Sequence, residues 1–353
     1  MFNKKIMDYI GDISQIGGIK KYMFTSGKAK GVEAFDINNG NGLIYTVVVD
    51  RGLDIYHLSF KGIPISFISK TGIVSPYFYN DRGYEWLRNF TAGFLTTCGL
   101  NQVGEPCTYN NNDFGLHGYY SNLPADEVSV LSDWLDDEYV MKISGKIRQA
   151  KVQFENLLLK RSITTKLGVN SITIEDEIIN EGDKREPFMI LYHMNFGYPF
   201  LNPDCEIIIP TKRITGWDEF SDKNTHRYLE LTEPDANMPE LTYYHDLYCD
   251  ENGLTGYMMT NKKISPDIGI SVKYDKGVLD NLTQWKYLRK KDYVMALEPC
   301  NNLVKGVDYE NKNGTLKYID PGESIKIKLD IKFLETAGDI EAEKMYFKNN
   351  MIF

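Results

Sequence analysis

The sequence predicts an all-β protein: a large antiparallel β-sandwich with a short N-terminal helix. Three observations carry this expectation. Segments with strict two-residue alternation recur along the chain, turn-forming Gly, Asn and Pro residues separate them, and helical periodicity is scarce. In chain order, Ile6, Tyr9, Ile10 and Ile13 lie at helical spacing, so residues 4–14 read as a short helix inside an N-terminal extension covering residues 1–20. Residues 43–49 form a β-branched run, and residues 80–90 are expected to make a second short helix. Ile163 and Thr165, the turn Gly168-Val169-Asn170, and Ile172, Ile174 and Ile178 read as a hairpin whose short loop sets the register. Residues 206–209, 268–274 and 293–297 are further strand segments. The stretch 211–262 is loop-rich, with Pro234, Pro239, Gly253 and Gly256, but its strands continue. Finally, Pro321-Gly322 launches a strand in which Ile325, Ile327, Leu329, Ile331 and Phe333 alternate with Lys326, Lys328, Asp330 and Lys332. That pattern puts one face in the core and one in water. No regular alternation of strands with long helices is present, which argues against a parallel α/β sheet. With no repeat and no Pro-rich linker, residues 1–353 are expected to form a single sandwich domain.

Composition narrows the function. The chain carries 40 Lys and Arg against 49 Asp and Glu, a formal charge of −9. An acidic surface disfavours nucleic acid and anionic membranes, because either partner needs a basic face. No apolar run approaches the ~18 residues of a bilayer span. The start of the chain is basic but lacks an apolar stretch, so no secretory signal is expected. The five cysteines are scattered without a CxxC pair, which suggests neither a disulfide framework nor a zinc cage and points to a reducing cytoplasm. No interface signature stands out, leaving homo-oligomerisation open.

Cofactor signatures are missing as well. Gly40-Asn41-Gly42 lacks the rest of a dinucleotide fingerprint, and no phosphate-binding loop, HExxH or GxSxG occurs. The expected chemistry is therefore acid–base chemistry with no cofactor and no metal. Only five histidines are available for it. His117 lies between Gly115 and Gly118, glycines that would let the backbone approach a ligand. His193 follows the apolar residues 188–191, as if a buried strand ended in a polar cluster, where an imidazole can exchange protons near neutrality. Glu298 ends the apolar run 293–297. A buried carboxyl is costly unless paired or used, and burial raises its pKa toward that of a general base. Each of the three also has a purely structural reading, and His57, His226 and His245 read as structural or surface residues.

Together these segments resemble the aldose 1-epimerase (galactose mutarotase-like) superfamily. Gly115-Leu-His117-Gly118, Tyr192-His193-Met-Asn195 and Leu297-Glu298-Pro299 carry the likeness, in that order. Asp50-Arg51-Gly-Leu-Asp54, Trp86-Leu-Arg88, Thr96-Thr-Cys-Gly-Leu100 with Gly104, and Gln284-Trp285-Lys286 resemble a less characterised branch of it. The likeness implies a sandwich whose concave face holds a small-molecule sugar and interconverts its α and β anomers. Glu298 would take the proton from the anomeric hydroxyl, His193 would protonate the ring oxygen, and His117 would orient the sugar. Arg51, Asp54, Arg88, Asn195, Gln284, Trp285 and Lys286 are the expected sugar contacts, with Trp285 stacking on a pyranose face. The chain departs from better-known members in two places. It has His193-Met-Asn-Phe-Gly where they show His-x-Tyr-Phe-Asn, and it has no clear match to their sugar-binding Asn-Arg pair, for which Arg51 or Arg88 is the substitute. Galactose or glucose is therefore not implied as the substrate. Two other readings stand beside the isomerase: a carbohydrate-binding protein without catalysis, and a lyase or glycoside hydrolase using Asp50 or Asp54 with Glu298 as the carboxylate pair.

Overall fold

The computed structural model describes residues 2–264 and 266–349, with 48% of the chain in strands and 14% in helices. Three antiparallel sheets dominate. The first pairs Gly18–Met23, Glu33–Asn38, Leu43–Val48, Asp54–Phe60 and Ile63–Pro64 in chain order. An eight-stranded sheet runs Asp126–Leu135, Glu138–Ala150, Asn156–Lys166, Ser171–Asn180, Ser324–Leu334, Ile268–Asp275, Leu254–Asn261 and Glu206–Ile208. A six-stranded sheet runs Thr211–Gly216, Leu241–Leu247, Asn281–Arg289, Asp292–Cys300, Met189–Gly197 and Leu95–Leu100.

The two-residue alternation read from the sequence sets which face each strand buries. In Ser324–Leu334 the side chains of Ile327, Leu329, Ile331 and Phe333 are buried, while the intervening lysines point to water. The expected hairpin pairs Ile163 with Ile174. Inward residues of the large sheet meet Tyr192, Met194, Phe196, Leu282, Met295 and Leu297 of the six-stranded sheet in one apolar cluster that also takes in Tyr45, Val47 and Phe60. The six-stranded sheet is covered on its other side too, by Trp86, Phe90, Leu116 and Val304. All nine residues of Met189–Gly197 are consequently buried, and a functional side chain on that strand is shielded from bulk water.

One polar cluster crosses this apolar interior. Arg161, with a fully buried side chain, reaches both oxygens of Asp176 at 2.9 and 2.7 Å, Asp54 Oδ1 at 2.7 Å and Thr97 Oγ1 at 3.0 Å. Tyr192 donates its hydroxyl to Asp176 at 2.7 Å, and the Thr97 N–H donates to Asp54 at 2.7 Å. These residues come from all three sheets. Burial pushes the Asp54 carboxyl up to about 6, against the opposing pull of Arg161 and Thr97. Burial works against the Arg161 cation, but the charge of Asp176 beside it prevails and holds the guanidinium protonated.

The helices differ from expectation. Residues 4–14 form two 3₁₀ turns, Lys4–Asp8 and Ile13–Gln15, each started by a side-chain cap from Asn3 or Asp12. The expected helix at 80–90 is a single 3₁₀ turn, Glu85–Arg88. The longest helix, Ala337–Asn349, is not anticipated by the sequence reading, because its buried face mixes Ile340 and Phe347 with charged Glu343 and Lys344. Glu343 pairs with Lys273 at 2.6 Å, and Ile340 and Phe347 pack on Met258, so the helix covers the outer side of the eight-stranded sheet. No helix among the described residues is long and apolar enough to cross a membrane.

Replacing Arg161 with Met strands Asp54 and Asp176 as buried carboxyls without a cation. Chemical denaturation is expected to show a loss of about 3–5 kcal/mol relative to the parent protein; a loss below about 1 kcal/mol would show that the cluster does not join the sheets.

Candidate active site

The site is built on the face of the six-stranded sheet that points away from the main core. Pairing of Leu191 with Cys300 and of Met194 with Leu297 sets His193 directly opposite Glu298 on the adjacent strand. The same row continues through Thr96 on one side of His193, and through Thr283 and Tyr244 on the far side of Glu298. Side chains two residues further along share the face, which brings Trp285 beside the pair. His193 Nε2 lies 3.2 Å from Glu298 Oε1, without the alignment of a hydrogen bond. Both groups are buried, 5% and 2% exposed.

Their surroundings set their protonation. Burial, followed by the nearby Glu240, drives the Glu298 pKa well above the ordinary carboxyl range. Burial, followed by His117, drives the His193 pKa well below the ordinary imidazole value, with Asn195 opposing the change. Both shifts favour the uncharged forms, since a charge in a low-dielectric interior loses its hydration. The pair then holds one proton between two touching groups. A buried carboxyl oxygen and the His193 Nδ1 are left without hydrogen-bond partners, as are few groups in a folded interior. Two such unsatisfied groups facing one cleft, with shifted pKa values, make it the candidate functional site.

His117 arrives from a loop. Its backbone is left-handed, with φ of 59°, an arrangement that costs a non-glycine residue about 1–3 kcal/mol. Two backbone bonds hold it there: its N–H donates to Gly104 O at 3.0 Å, and its carbonyl accepts from Gly99 N at 3.2 Å. The Gly104 N–H donates to Nδ1 at 3.3 Å, so the ring proton resides on Nε2. Burial lowers the His117 pKa to about 4, leaving it a neutral donor near pH 7. The flanking glycines do not serve ligand approach as expected. A Cβ on Gly118 would stand 2.6 Å from the carbonyls of Gln102 and Gly99, and one on Gly115 would stand 2.1 Å from that of Asp81. They allow close packing of the loop on the body of the protein.

These three residues line one cavity of about 320 Å³, at the small end of ligand sites, which run about 300–1,000 Å³. Its walls are aromatic. Trp86 lies 4.7 Å from both Phe90 and His117 between ring centres, and Trp285 lies 5.6 Å from His193. Trp217, Asp218 and Ser221, from the segment after Thr211–Gly216, close another side with Glu240 and Thr242. The Trp285 indole N–H donates to Glu240 at 2.6 Å, fixing the ring.

The structure separates the expected sugar contacts. Trp285 lines the cavity. Asn195 lies beneath it, donating to the carbonyl of His193 at 2.9 Å with its own Oδ1 unpartnered. Five others lie outside the cavity. Gln284 and Lys286 alternate with Trp285 and so point through the opposite face. There Gln284 faces His245 at 3.2 Å, and the Lys286 ammonium donates to the carbonyls of Arg227 at 2.7 Å and Glu230 at 2.6 Å. Arg51 is buried against the carbonyls of Val74 and Asn89 at 2.9 and 2.7 Å, and Asp54 belongs to the Arg161 cluster. Arg88 is exposed and pairs with Glu85 at 2.6 Å. Asp50, named for the hydrolase reading, accepts from the backbone of Glu33 at 2.7 Å. Sequence reasoning missed Trp217, Thr242, Thr283 and Glu240. Strand alternation from Trp285 points to Thr283, whereas the others come from a loop-rich segment with no local signature.

Comparison with known proteins supplies the family. A family model described as "Domain of unknown function (DUF4432)" matches residues 29–333. No curated protein matches. Among solved structures, a Klebsiella pneumoniae protein named "putative aldose 1-epimerase" is 23% identical with a TM-score of 0.88, over 99% of this chain and 91% of that one. A galactose mutarotase-like protein from Clostridium acetobutylicum is 14% identical with a TM-score of 0.65, over 91% and 100%. Galactose 1-epimerase from Lactobacillus acidophilus is 14% identical with a TM-score of 0.55, over 90% and 98%. The chain therefore belongs to the DUF4432 family, and its fold is that of the galactose mutarotase-like proteins.

Proposed function

We propose that the protein is an isomerase that interconverts the α and β anomers of a monosaccharide, using Glu298 and His193 as its proton carriers. The observation that carries this reading is their contact at 3.2 Å inside an aromatic cavity of sugar size. The reaction removes a proton from the hydroxyl on C1 and delivers one to the ring oxygen. The C1–O5 bond breaks to give the open aldehyde, C1–C2 rotates, and reclosure from the other face gives the other anomer. Both oxygens are bonded to C1, so acid and base need to stand side by side, as these two do.

One proton serves the pair. With that proton on His193, the Glu298 carboxylate accepts the hydroxyl proton while His193 donates to O5, and the two exchange tasks when the ring closes. The neutral Nε2–H of His117 is a donor for a sugar oxygen, and Trp285 offers a flat apolar surface to a pyranose. The names of the similar structures agree with this reading.

Exchange NMR or polarimetry on a panel of freshly dissolved aldoses tests it. The parent protein should speed the approach to anomeric equilibrium, and Glu298→Gln and His193→Gln should each lower kcat by about 10²–10⁴-fold. A folded parent protein that accelerates no aldose would refute the proposal. A Glu298→Gln variant that binds a sugar normally, next to an inactive parent, would favour the carbohydrate-binding reading.

The pH profile is expected to be bell-shaped, because the pair must hold a single proton. Its acid limb reports protonation of His193, displaced below 6.5, and its alkaline limb reports deprotonation of Glu298, displaced well above 4.5. Activity should therefore be lost on acidification only at a pH below 6.5, and on the alkaline side only well above pH 4.5; an acid limb at or above 6.5 would refute the assignment.

A further inference from the structure

We propose that the cavity admits uncharged or cationic sugars and turns away phosphorylated and acidic ones, with Glu240 as a residue that sets this selectivity. The inference rests on the isomerase reading and names the substrate class of the same site. Glu105, Asp218 and Glu240 join Glu298 in the cavity wall, and among the described residues no Lys or Arg lines it. The cations expected from the sequence are elsewhere: Arg51 is buried on backbone carbonyls, Arg88 is turned to Glu85, and Lys286 points through the other face of the sheet. Lys305 stands beside this wall but is held over the rings of Trp217 and Tyr309, at 5.6 and 5.2 Å.

The rim carboxylates are bonded by uncharged donors. Tyr84 donates its hydroxyl to Glu105, Trp285 its indole N–H to Glu240 at 2.6 Å, and the backbone N–H of Ser221 donates to Asp218 at 2.6 Å. Such donors fix the oxygens in place without cancelling their charge; Lys305 is near enough to act on Asp218 electrostatically, so the uncompensated charge is that of Glu105 and Glu240. A second, independent feature points the same way. Glu298 Oε1 is buried in this cavity without a hydrogen-bond donor. A sugar hydroxyl or ammonium can supply that donor, whereas an ionised phosphate or carboxylate group cannot, so any anionic group on a sugar bound here has to face the rim and its carboxylates. A dianion would also enter a cleft walled by carboxylates, where low-dielectric surroundings strengthen repulsion. Glu240, like Asp218, is exposed, so it can be changed without opening the core, and it is the one of the three whose charge acts on Glu298.

The test compares glucose and galactose with their 6-phosphates and their 6-carboxylates, by exchange NMR for turnover and saturation-transfer NMR for binding. At low salt the neutral sugars are expected to exceed the anionic ones in kcat/KM by about tenfold or more, and added salt should narrow the gap. Glu240→Gln, which keeps an oxygen for the Trp285 indole, should narrow it as well by lowering KM for the anions relative to the parent. Glu105→Gln serves as the second variant if Glu240→Gln is misfolded by circular dichroism. Equal or better handling of a sugar phosphate by the parent overturns the proposal, as does an unchanged neutral-to-anion ratio in a folded variant. If no sugar is turned over, the isomerase reading falls, while the binding ratio still decides the charge selectivity.

Discussion

The buried guanidinium of Arg161 is the constraint on which the arrangement of the sheets depends. Apolar packing between sheets is non-directional and fixes position only through shape. A planar cation shared by Asp54 and Asp176, with Thr97 and Tyr192 bonded to the same cluster, prescribes angles as well as distances. Tyr192 and Thr97 sit on the two strands that also carry His193 and Thr96. The polar cluster on one face of that sheet is therefore rigidly linked, through a single residue step, to the His193–Glu298 pair on the other. Asp54 and Arg161 lie on the side of that sheet away from the cavity and do not line it.

Placing Glu298 and His193 on neighbouring strands, not on loops, gives their contact the precision of a sheet register. A slip of one residue would turn either side chain into the apolar core. The acidic pull of a buried imidazole and the basic pull of a buried carboxyl oppose each other across the contact. Neither group is satisfied by the protein alone, and a bound hydroxyl offers the hydrogen bond that the fold withholds.

Much of the fold was legible because alternation, turn residues and the lack of helical periodicity all agreed. The strand Ser324–Leu334 and the hairpin at 163–178 fell where their patterns placed them. The C-terminal helix escaped because ion pairs, not aliphatic residues, complete its buried face. In the site, His117, His193 and Glu298 were recognisable from short motifs, since each sits in a segment whose neighbours are otherwise apolar or glycine. Gln284-Trp285-Lys286 shows where motif reading fails: three successive strand residues cannot share one face, so only the middle one meets the cavity. Arg51 and Asp54 look like ligand binders in sequence because buried charge has the same signature whether it meets a substrate or another part of the chain.

The cavity has two kinds of wall with different tolerance for change. Its floor is the sheet, where each side chain is fixed by pairing on both sides. One flank is the segment between Gly216 and Leu241, which lies outside the sheet ladder and supplies Trp217, Asp218, Ser221 and Glu240. Insertions or substitutions in that flank can reshape the entrance while the floor stays intact. Descendants of one ancestral scaffold can thereby diverge in what they admit and still inherit the same floor.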